Sequence, residues 1–126
     1  MEQFLPIYPV VPNLECFMRL LIIWLEKSPQ SLARLPPSFG NLSSLEGFSV
    51  AYNNLGGSIP NSFAQLTKLK IFAVGSNRLS GTIPPLFFNI SSITEIDVAV
   101  NQIQGHFPSD IGITLPNLET FTISNN

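Results

Sequence analysis

A short apolar phrase recurs along the chain at a nearly constant spacing, and this repetition constrains the fold more than any other feature. Its opening residues are Leu42, Leu66, Ile90 and Leu115, which are separated by steps of 24, 24 and 25 residues. A constant period of this length is typical of solenoids, in which each repeat forms one coil. Because one coil cannot bury its own apolar face, neighbouring coils stack and share a core. The sequence therefore predicts three full coils and half of a fourth.

Within each repeat, two apolar residues separated by one position predict a short strand with one buried face. These pairs are Phe48 and Val50, Phe72 and Val74, Ile96 and Val98, and Phe121 and Ile123. One such strand per coil pairs with the strand of the next coil and runs parallel to it. We expect a sheet of short parallel strands along one side of the solenoid.

An asparagine follows each predicted strand, at Asn53, Asn77, Asn101 and Asn126. Its carboxamide has donors and an acceptor that can satisfy the backbone of the turning chain. Leaving such buried groups unpaired would cost about 1–3 kcal/mol each. We interpret these residues as a structural asparagine ladder rather than as catalytic groups.

A glycine and a proline then shape the return path of each coil. Gly57, Gly81 and Gly105 permit a sharp bend, and a proline three residues after each glycine excludes a helix at that point. The segments that follow, residues 61–65 and 85–89, have room for about one helical turn. We expect irregular or 3-10 segments on this side.

These positions combine into the consensus LxxLxxLxLxxNxLxGxIPxxF, which resembles the plant-specific leucine-rich repeat of receptor-like kinase and receptor-like protein ectodomains. Residues 35–45, LPPSFGNLSSL, are especially similar to the immune-type receptor kinases. The resemblance covers residues 35–126. It implies an α/β repeat solenoid, a right-handed superhelix whose short parallel strands line a concave face that binds peptides, steroids, microbial patterns or a co-receptor.

The first 34 residues do not keep this pattern. Counting back one period from Leu45 and Phe48 gives Leu21 and Trp24, but a proline and an alanine occupy the Asn and Gly positions. We interpret residues 1–34 as a degenerate or non-homologous segment. It contains no recognisable secretory signal or membrane span, and Cys16, the sole cysteine, cannot form an intramolecular disulfide.

Composition and motifs exclude several functions. Only 11% of residues are charged and the net charge is -2, which gives no basic surface for nucleic acid. The sequence suggests no cofactor, no metal site and no catalytic residues, because His106 and the nearby Asp110 lack a nucleophile to activate. We expect a protein, a peptide or another extracellular ligand as partner, with a co-receptor as a further candidate.

Two sets of surface residues are candidate sites. Asn41 and Asn89 each begin an Asn-x-Ser sequon and are predicted glycosylation sites if the chain enters the secretory pathway. The exposed positions of the predicted strands form the candidate ligand surface. The leading candidates are Glu46, Ser49, Tyr52, Lys70, Ala73, Thr94, Glu95, Asp97, Thr120 and Thr122. The same surface also includes Gly47, Ala51, Ile71, Gly75, Ser76, Ala99, Val100, Glu119 and Ser124.

The resemblance implies a non-catalytic binding module from a receptor-like kinase ectodomain, on the extracellular side of the plasma membrane, that acts in signal or pathogen recognition. Two alternatives stay open. One is a truncated or pseudogene product without independent function. The other is a secreted inhibitor of the polygalacturonase-inhibitor type, which shares this repeat.

Overall fold

The computed structural model describes residues 20–22 and 34–126, and the elements named below lie within these ranges. The strands are β1 (Leu20–Ile22), β2 (Gly47–Ser49), β3 (Ile71–Ala73), β4 (Ser80–Gly81), β5 (Glu95–Asp97), β6 (Gln102–Ile103) and β7 (Thr120–Thr122). The helices are three 3-10 turns, η1 (Pro37–Asn41), η2 (Asn61–Gln65) and η3 (Pro85–Asn89), and one α-helical turn, α1 (Ile111–Thr114).

The main sheet has five parallel strands in the order β1-β2-β3-β5-β7. Equivalent positions of successive repeats lie side by side, so that Phe48 pairs with Phe72, Phe72 with Ile96, and Ile96 with Phe121. The strand alternation turns these apolar side chains inward, where Phe48, Phe72 and Ile96 are fully buried. The predicted leucine-rich repeat solenoid with parallel strands is confirmed.

The register of β1 differs from the register obtained by counting back one period. Leu21, not Trp24, lies opposite Phe48. The connection from β1 to β2 is therefore three residues longer than the connection in a 24-residue repeat. Residues 1–19 and 23–33, including Cys16, lie outside the described ranges, and the interpretation of residues 1–34 as degenerate or non-homologous stays a prediction.

The return path contains the predicted 3-10 turns, and η2 and η3 span the predicted residues. Each of η1, η2 and η3 begins directly after a proline in an extended conformation, Pro36, Pro60 or Pro84. Since proline has no N–H and a fixed φ, it ends the preceding segment and starts the turn. Each turn ends at a backbone bond from the opening apolar residue of the next repeat, such as Leu66 N–H to the Phe63 carbonyl at 3.1 Å.

The last return segment departs from the expected irregular or 3-10 form. In α1, Thr114 N–H bonds to the Asp110 carbonyl at 3.0 Å and Leu115 N–H to the Ile111 carbonyl at 2.9 Å, which is the α-helical pattern. This repeat has 25 residues rather than 24. The extra residue falls in the return path, because the pairing of β5 with β7 remains in register.

A second, two-stranded sheet was not predicted. It pairs β4 with β6 in parallel, with Ser80 opposite Gln102 and Gly81 opposite Ile103. Gly57, Gly81 and Gly105 all have positive φ, at 77°, 75° and 109°, a region that L side chains rarely adopt. Gly81 is the last residue of β4, whereas Gly57 and Gly105 lie outside the small sheet.

Phenylalanine rings connect the coils through the core. The Phe48 ring stacks on Phe72 with centroids 5.7 Å apart, Phe63 meets Phe48 edge-on at 5.2 Å, and Phe87 contacts Phe72 at 4.7 Å. Such pairs contribute roughly 0.5–1.5 kcal/mol beyond the burial of their area. Because Phe48 and Phe63 both contact Phe72 of the next coil, the packing of one coil depends on the next.

The ladder asparagines bridge adjacent coils. Asn77 Oδ1 accepts hydrogen bonds from the backbone N–H groups of Asn53 and Leu55 in the preceding coil, both at 3.1 Å. Its Nδ2 donates to the Val74 carbonyl at 2.9 Å and to the Val50 carbonyl at 3.1 Å. One side chain thus satisfies four backbone groups on two coils, and no aliphatic residue could do so.

The same contacts recur along the ladder. Asn101 accepts from Leu79 N–H at 2.9 Å and donates to the Val74 and Val98 carbonyls. Asn126 accepts from Ile103 N–H at 2.9 Å and donates to the Val98 carbonyl. The ladder therefore continues to the last described turn.

The residue before each ladder asparagine has a left-handed backbone conformation. Tyr52, Ser76, Val100 and Asn125 have φ values of 61°, 59°, 57° and 61°. Asparagine adopts this conformation readily, whereas a β-branched residue such as valine is strained in it. Val100 is the one β-branched residue among these four, so this strain is confined to its coil.

We predict that Asn77→Ala lowers the free energy of unfolding by about 2–4 kcal/mol, because alanine leaves several turn groups unpaired. Chemical denaturation monitored by circular dichroism measures the change. The matched control is Asn54→Ala, the same substitution at a partly exposed asparagine outside the ladder, which should change stability by less than about 0.5 kcal/mol. Equal losses in both variants would contradict the role of the ladder.

We predict that Val100→Asn raises the free energy of unfolding by about 1 kcal/mol, because asparagine relieves the left-handed strain. Val100 is 47% exposed, so little apolar burial is lost. The same denaturation assay compares it with Gln104→Asn, a control at an exposed position without positive φ. A stabilisation of similar size in the control would show that relief of strain is not the cause.

Candidate functional site on the exposed face of the sheet

The sheet presents one face to the core and the other away from it. We call the outward side chains of β2, β3, β5 and β7, with the residues next to these strands, the strand face. The ten leading candidates for ligand binding all lie here and are at least partly exposed: Glu46, Ser49, Tyr52, Lys70, Ala73, Thr94, Glu95, Asp97, Thr120 and Thr122. Because the strands are in register, these residues form columns across the coils.

An ion pair crosses two coils at one edge of the strand face. Lys70 Nζ lies 3.6 Å from Glu46 Oε1, and both side chains keep contact with solvent. Exposed pairs of this kind contribute little to stability. The pair therefore matters mainly because the Glu46 carboxylate partly neutralises the positive charge of Lys70 on this surface.

Asp97 lies near the centre of the strand face in a defined orientation. Its Oδ1 accepts a hydrogen bond from Ala99 N–H at 3.1 Å. A Cβ added at Gly75, on the preceding coil, would come within 3.0 Å of both carboxylate oxygens. The carboxylate therefore lies over Gly75, and any larger residue there would displace it. The small residues Ala73 and Ala99 lie next to it on the same face.

The charge of the strand face is mainly negative. Among residues 34–126 it carries the carboxylates of Glu46, Glu95, Asp97 and Glu119, and its only basic residue is Lys70. Charges lined up on one surface attract ligands of the opposite sign and raise their association rate. This surface is therefore complementary to a partner that carries basic groups.

Exposed apolar side chains accompany these charges. Tyr52 is 75% exposed, Val100 is 47% exposed and Ile71 is 39% exposed. Tyrosine is common at the centre of protein interfaces, because its ring offers a large contact area with few rotatable bonds. Tyr52 could therefore contact a partner extensively, and its position on the first coil places it at one end of the strand face.

The contact between Asp97 and Gly75 has no signal in the sequence, because their close approach depends on the register between coils. Ile71, Val100 and Glu119, which were predicted as further members of this surface, are exposed on it. Gly47, Gly75 and Ala99 were predicted as members too, but they are buried.

The histidine and the aspartate considered for acid–base chemistry lie at the surface of the described residues. His106 and Asp110 are both exposed. Within residues 20–22 and 34–126, no group of three His, Cys, Asp or Glu side chains is placed to hold a metal ion. In the same part of the chain, no helix has the length and apolar character needed to span a bilayer.

The two sequons lie on the return path rather than on the strand face. Asn41 and Asn89 are the last residues of η1 and η3, and both are exposed. Asn89 also borders a groove of about 490 Å³ between η2 and η3. A glycan at either position would leave the strand face uncovered.

A family model described as Leucine Rich Repeat matches residues 44–66, which include most of the first full repeat. No match was found among the curated proteins. The comparison with solved structures gives many matches, and three of them illustrate the range.

The crystal structure of a TDR receptor matches with 39% identity and a TM-score of 0.70, over 75% of this chain and 16% of that chain. The Arabidopsis receptor kinase HAESA, in complex with the peptide hormone IDA and the co-receptor SERK1, matches with 29% identity and a TM-score of 0.67, over 74% of this chain and 16% of that chain. A plant ice-binding protein matches with 27% identity and a TM-score of 0.73, over 86% of this chain and 34% of that chain.

This chain therefore spans about one sixth of the length of the two receptors. The three matches cover about three quarters of this chain or more. Together, the repeat, the sheet and these likenesses show that the chain has a leucine-rich repeat fold similar to that of plant receptor kinase ectodomains.

Proposed function

We infer that the chain is a non-catalytic binding module, part of the extracellular recognition surface of a plant receptor-like kinase or receptor-like protein. The strand face binds a protein or peptide ligand, and a co-receptor is a further partner of the same assembly. The observation that carries this proposal is the strand face itself, which combines exposed apolar side chains with carboxylates on a rigid, regular scaffold.

The likeness to HAESA supports a peptide ligand, because that structure holds both a peptide hormone and a co-receptor. The ice-binding protein shows that the same fold also serves a different purpose. Since a fold does not determine function, the chemistry of the strand face has to discriminate between these functions. An acidic strand face with an exposed tyrosine favours recognition of a peptide that carries both basic and apolar residues.

The position of this surface in the cell follows from the same proposal. A recognition module of a receptor-like kinase lies on the extracellular side of the plasma membrane, where it receives a signal or detects a pathogen. The kinase that transmits the signal belongs to a different part of such a receptor. This chain contributes binding and no chemistry of its own.

We predict that selection from a random dodecapeptide library on the immobilised full chain enriches peptides that contain Lys or Arg together with an apolar residue. Isothermal titration calorimetry then compares the enriched peptides on the wild type and on the variant Tyr52→Ala/Glu95→Lys/Asp97→Lys. We expect affinity to fall at least tenfold in the variant, because it removes the apolar contact and reverses the local charge. The wild-type affinity should also weaken as the salt concentration rises.

The matched control carries the same kind of change on the return path, at exposed Ser38 and Gln65, as Ser38→Lys/Gln65→Lys. This variant should bind like the wild type. Equal affinity for the strand-face variant and the wild type, or enrichment of peptides that bind the return path, would overturn the strand face as the ligand surface.

A further inference from the structure

The two sequons occupy equivalent positions in the fold but have different neighbours. Asn41 and Asn89 are each the final residue of a 3-10 turn, two repeats apart. Each sequon serine follows two positions later, at Ser43 and Ser91. The two sites therefore form a natural pair in which backbone geometry is shared and the surroundings are not.

In a 3-10 helix, side chains three positions apart lie one above the other, because the helix has three residues per turn. Leu86 therefore shares a face of η3 with Asn89, and Ser38 shares the corresponding face of η1 with Asn41. Leu86 is 66% exposed, a large apolar side chain that the described part of the protein leaves in solvent. At this position the Asn41 site has the hydroxyl group of Ser38, and the Asn89 site has the isobutyl group of Leu86.

The surroundings of Asn89 also include a groove on the side of η2. It runs between η2 and η3, and Leu86 and Asn89 both line it. Polar groups complete the lining and could accept or donate hydrogen bonds to sugar hydroxyls. They belong to Asn61, Gln65, Thr67 and Ser91. An apolar side chain beside several amides and hydroxyls matches a sugar ring, which has an apolar C–H face and a polar rim.

We propose that Asn89 carries an N-linked glycan whose first sugar packs on Leu86 and lies in the groove between η2 and η3, so that glycosylation at this site stabilises the fold. A glycan on Asn41 has no apolar neighbour at the equivalent position and stabilises little. This proposal rests on the proposed function, because only a chain in the secretory pathway meets the glycosyl donor.

The modification is a group transfer from an oligosaccharide linked to a lipid pyrophosphate. The bond between the anomeric carbon and the pyrophosphate oxygen breaks, and a bond forms between that carbon and Asn89 Nδ2. The amide loses one proton to the solvent, and the lipid pyrophosphate leaves with the bonding electrons. After transfer, the first sugar is held within contact distance of Leu86 by the short Asn89 side chain.

The test uses the full chain, secreted from yeast behind an added signal peptide and trimmed by an endoglycosidase to a single N-acetylglucosamine at each occupied site. Asn41→Gln and Asn89→Gln give the two single-site forms, and the double variant gives the unglycosylated reference. Mass spectrometry measures occupancy and calorimetry measures Tm. We expect Asn89 to be occupied and its form to melt about 2–4 °C above the reference, with the Asn41 form within about 1 °C of it.

Two exchange variants separate packing from any general effect of a glycan. Leu86→Ser should remove the gain at Asn89, measured against the same variant without the glycan. Ser38→Leu should create a gain at Asn41, and this change is at an exposed position that does not threaten folding. An empty Asn89 in the secreted protein, or a gain at Asn89 that survives Leu86→Ser, would overturn the proposal.

These outcomes do not depend on ligand recognition, because the sequons lie on the return path. Peptide binding at the strand face should be the same in the glycosylated and unglycosylated forms. A failure of the glycan proposal with peptide binding intact, or the reverse, is therefore distinguishable.

Discussion

The hydrogen bonds of the asparagine ladder are the interaction on which the rest of the structure depends. After each strand the chain must turn, and the turn buries carbonyl and N–H groups that no regular ladder of strands can pair. Asn77 and Asn101 satisfy these groups on their own coil and on the preceding coil. The distance between coils is thereby determined, and the phenylalanine packing and the strand register follow from that distance.

Because these constraints recur at known positions, much of the fold could be predicted from the sequence. The inward residues Phe48, Phe72 and Ile96, and the bounds of η2 and η3, were predicted from spacing alone. What could not be predicted depended on details without a repeating signal. The register of Leu21 was missed because no asparagine marks that coil, and β4 and β6 are too short to show alternation.

The candidate site was predictable only as a surface. Alternation along the strands identifies which side chains point outward, and the structure shows Glu95, Asp97 and Tyr52 on the strand face. Folding does not determine which residues occupy these positions, because a substitution at an exposed position changes stability little. The contact of Asp97 with Gly75 required the register between coils, and the position of Leu86 above Asn89 required the 3-10 geometry of η3.

The 25-residue repeat shows where this architecture tolerates change in length. One additional residue converts a 3-10 turn into the α-helical turn α1, yet Ile96 still pairs with Phe121. Insertions on the return path are therefore absorbed before they reach the sheet. A gene that encodes such repeats can exchange, duplicate or lose whole units by recombination while each surviving strand keeps its spacing from its neighbours. New binding surfaces can then arise by shuffling units, without a new solution to the packing of the core.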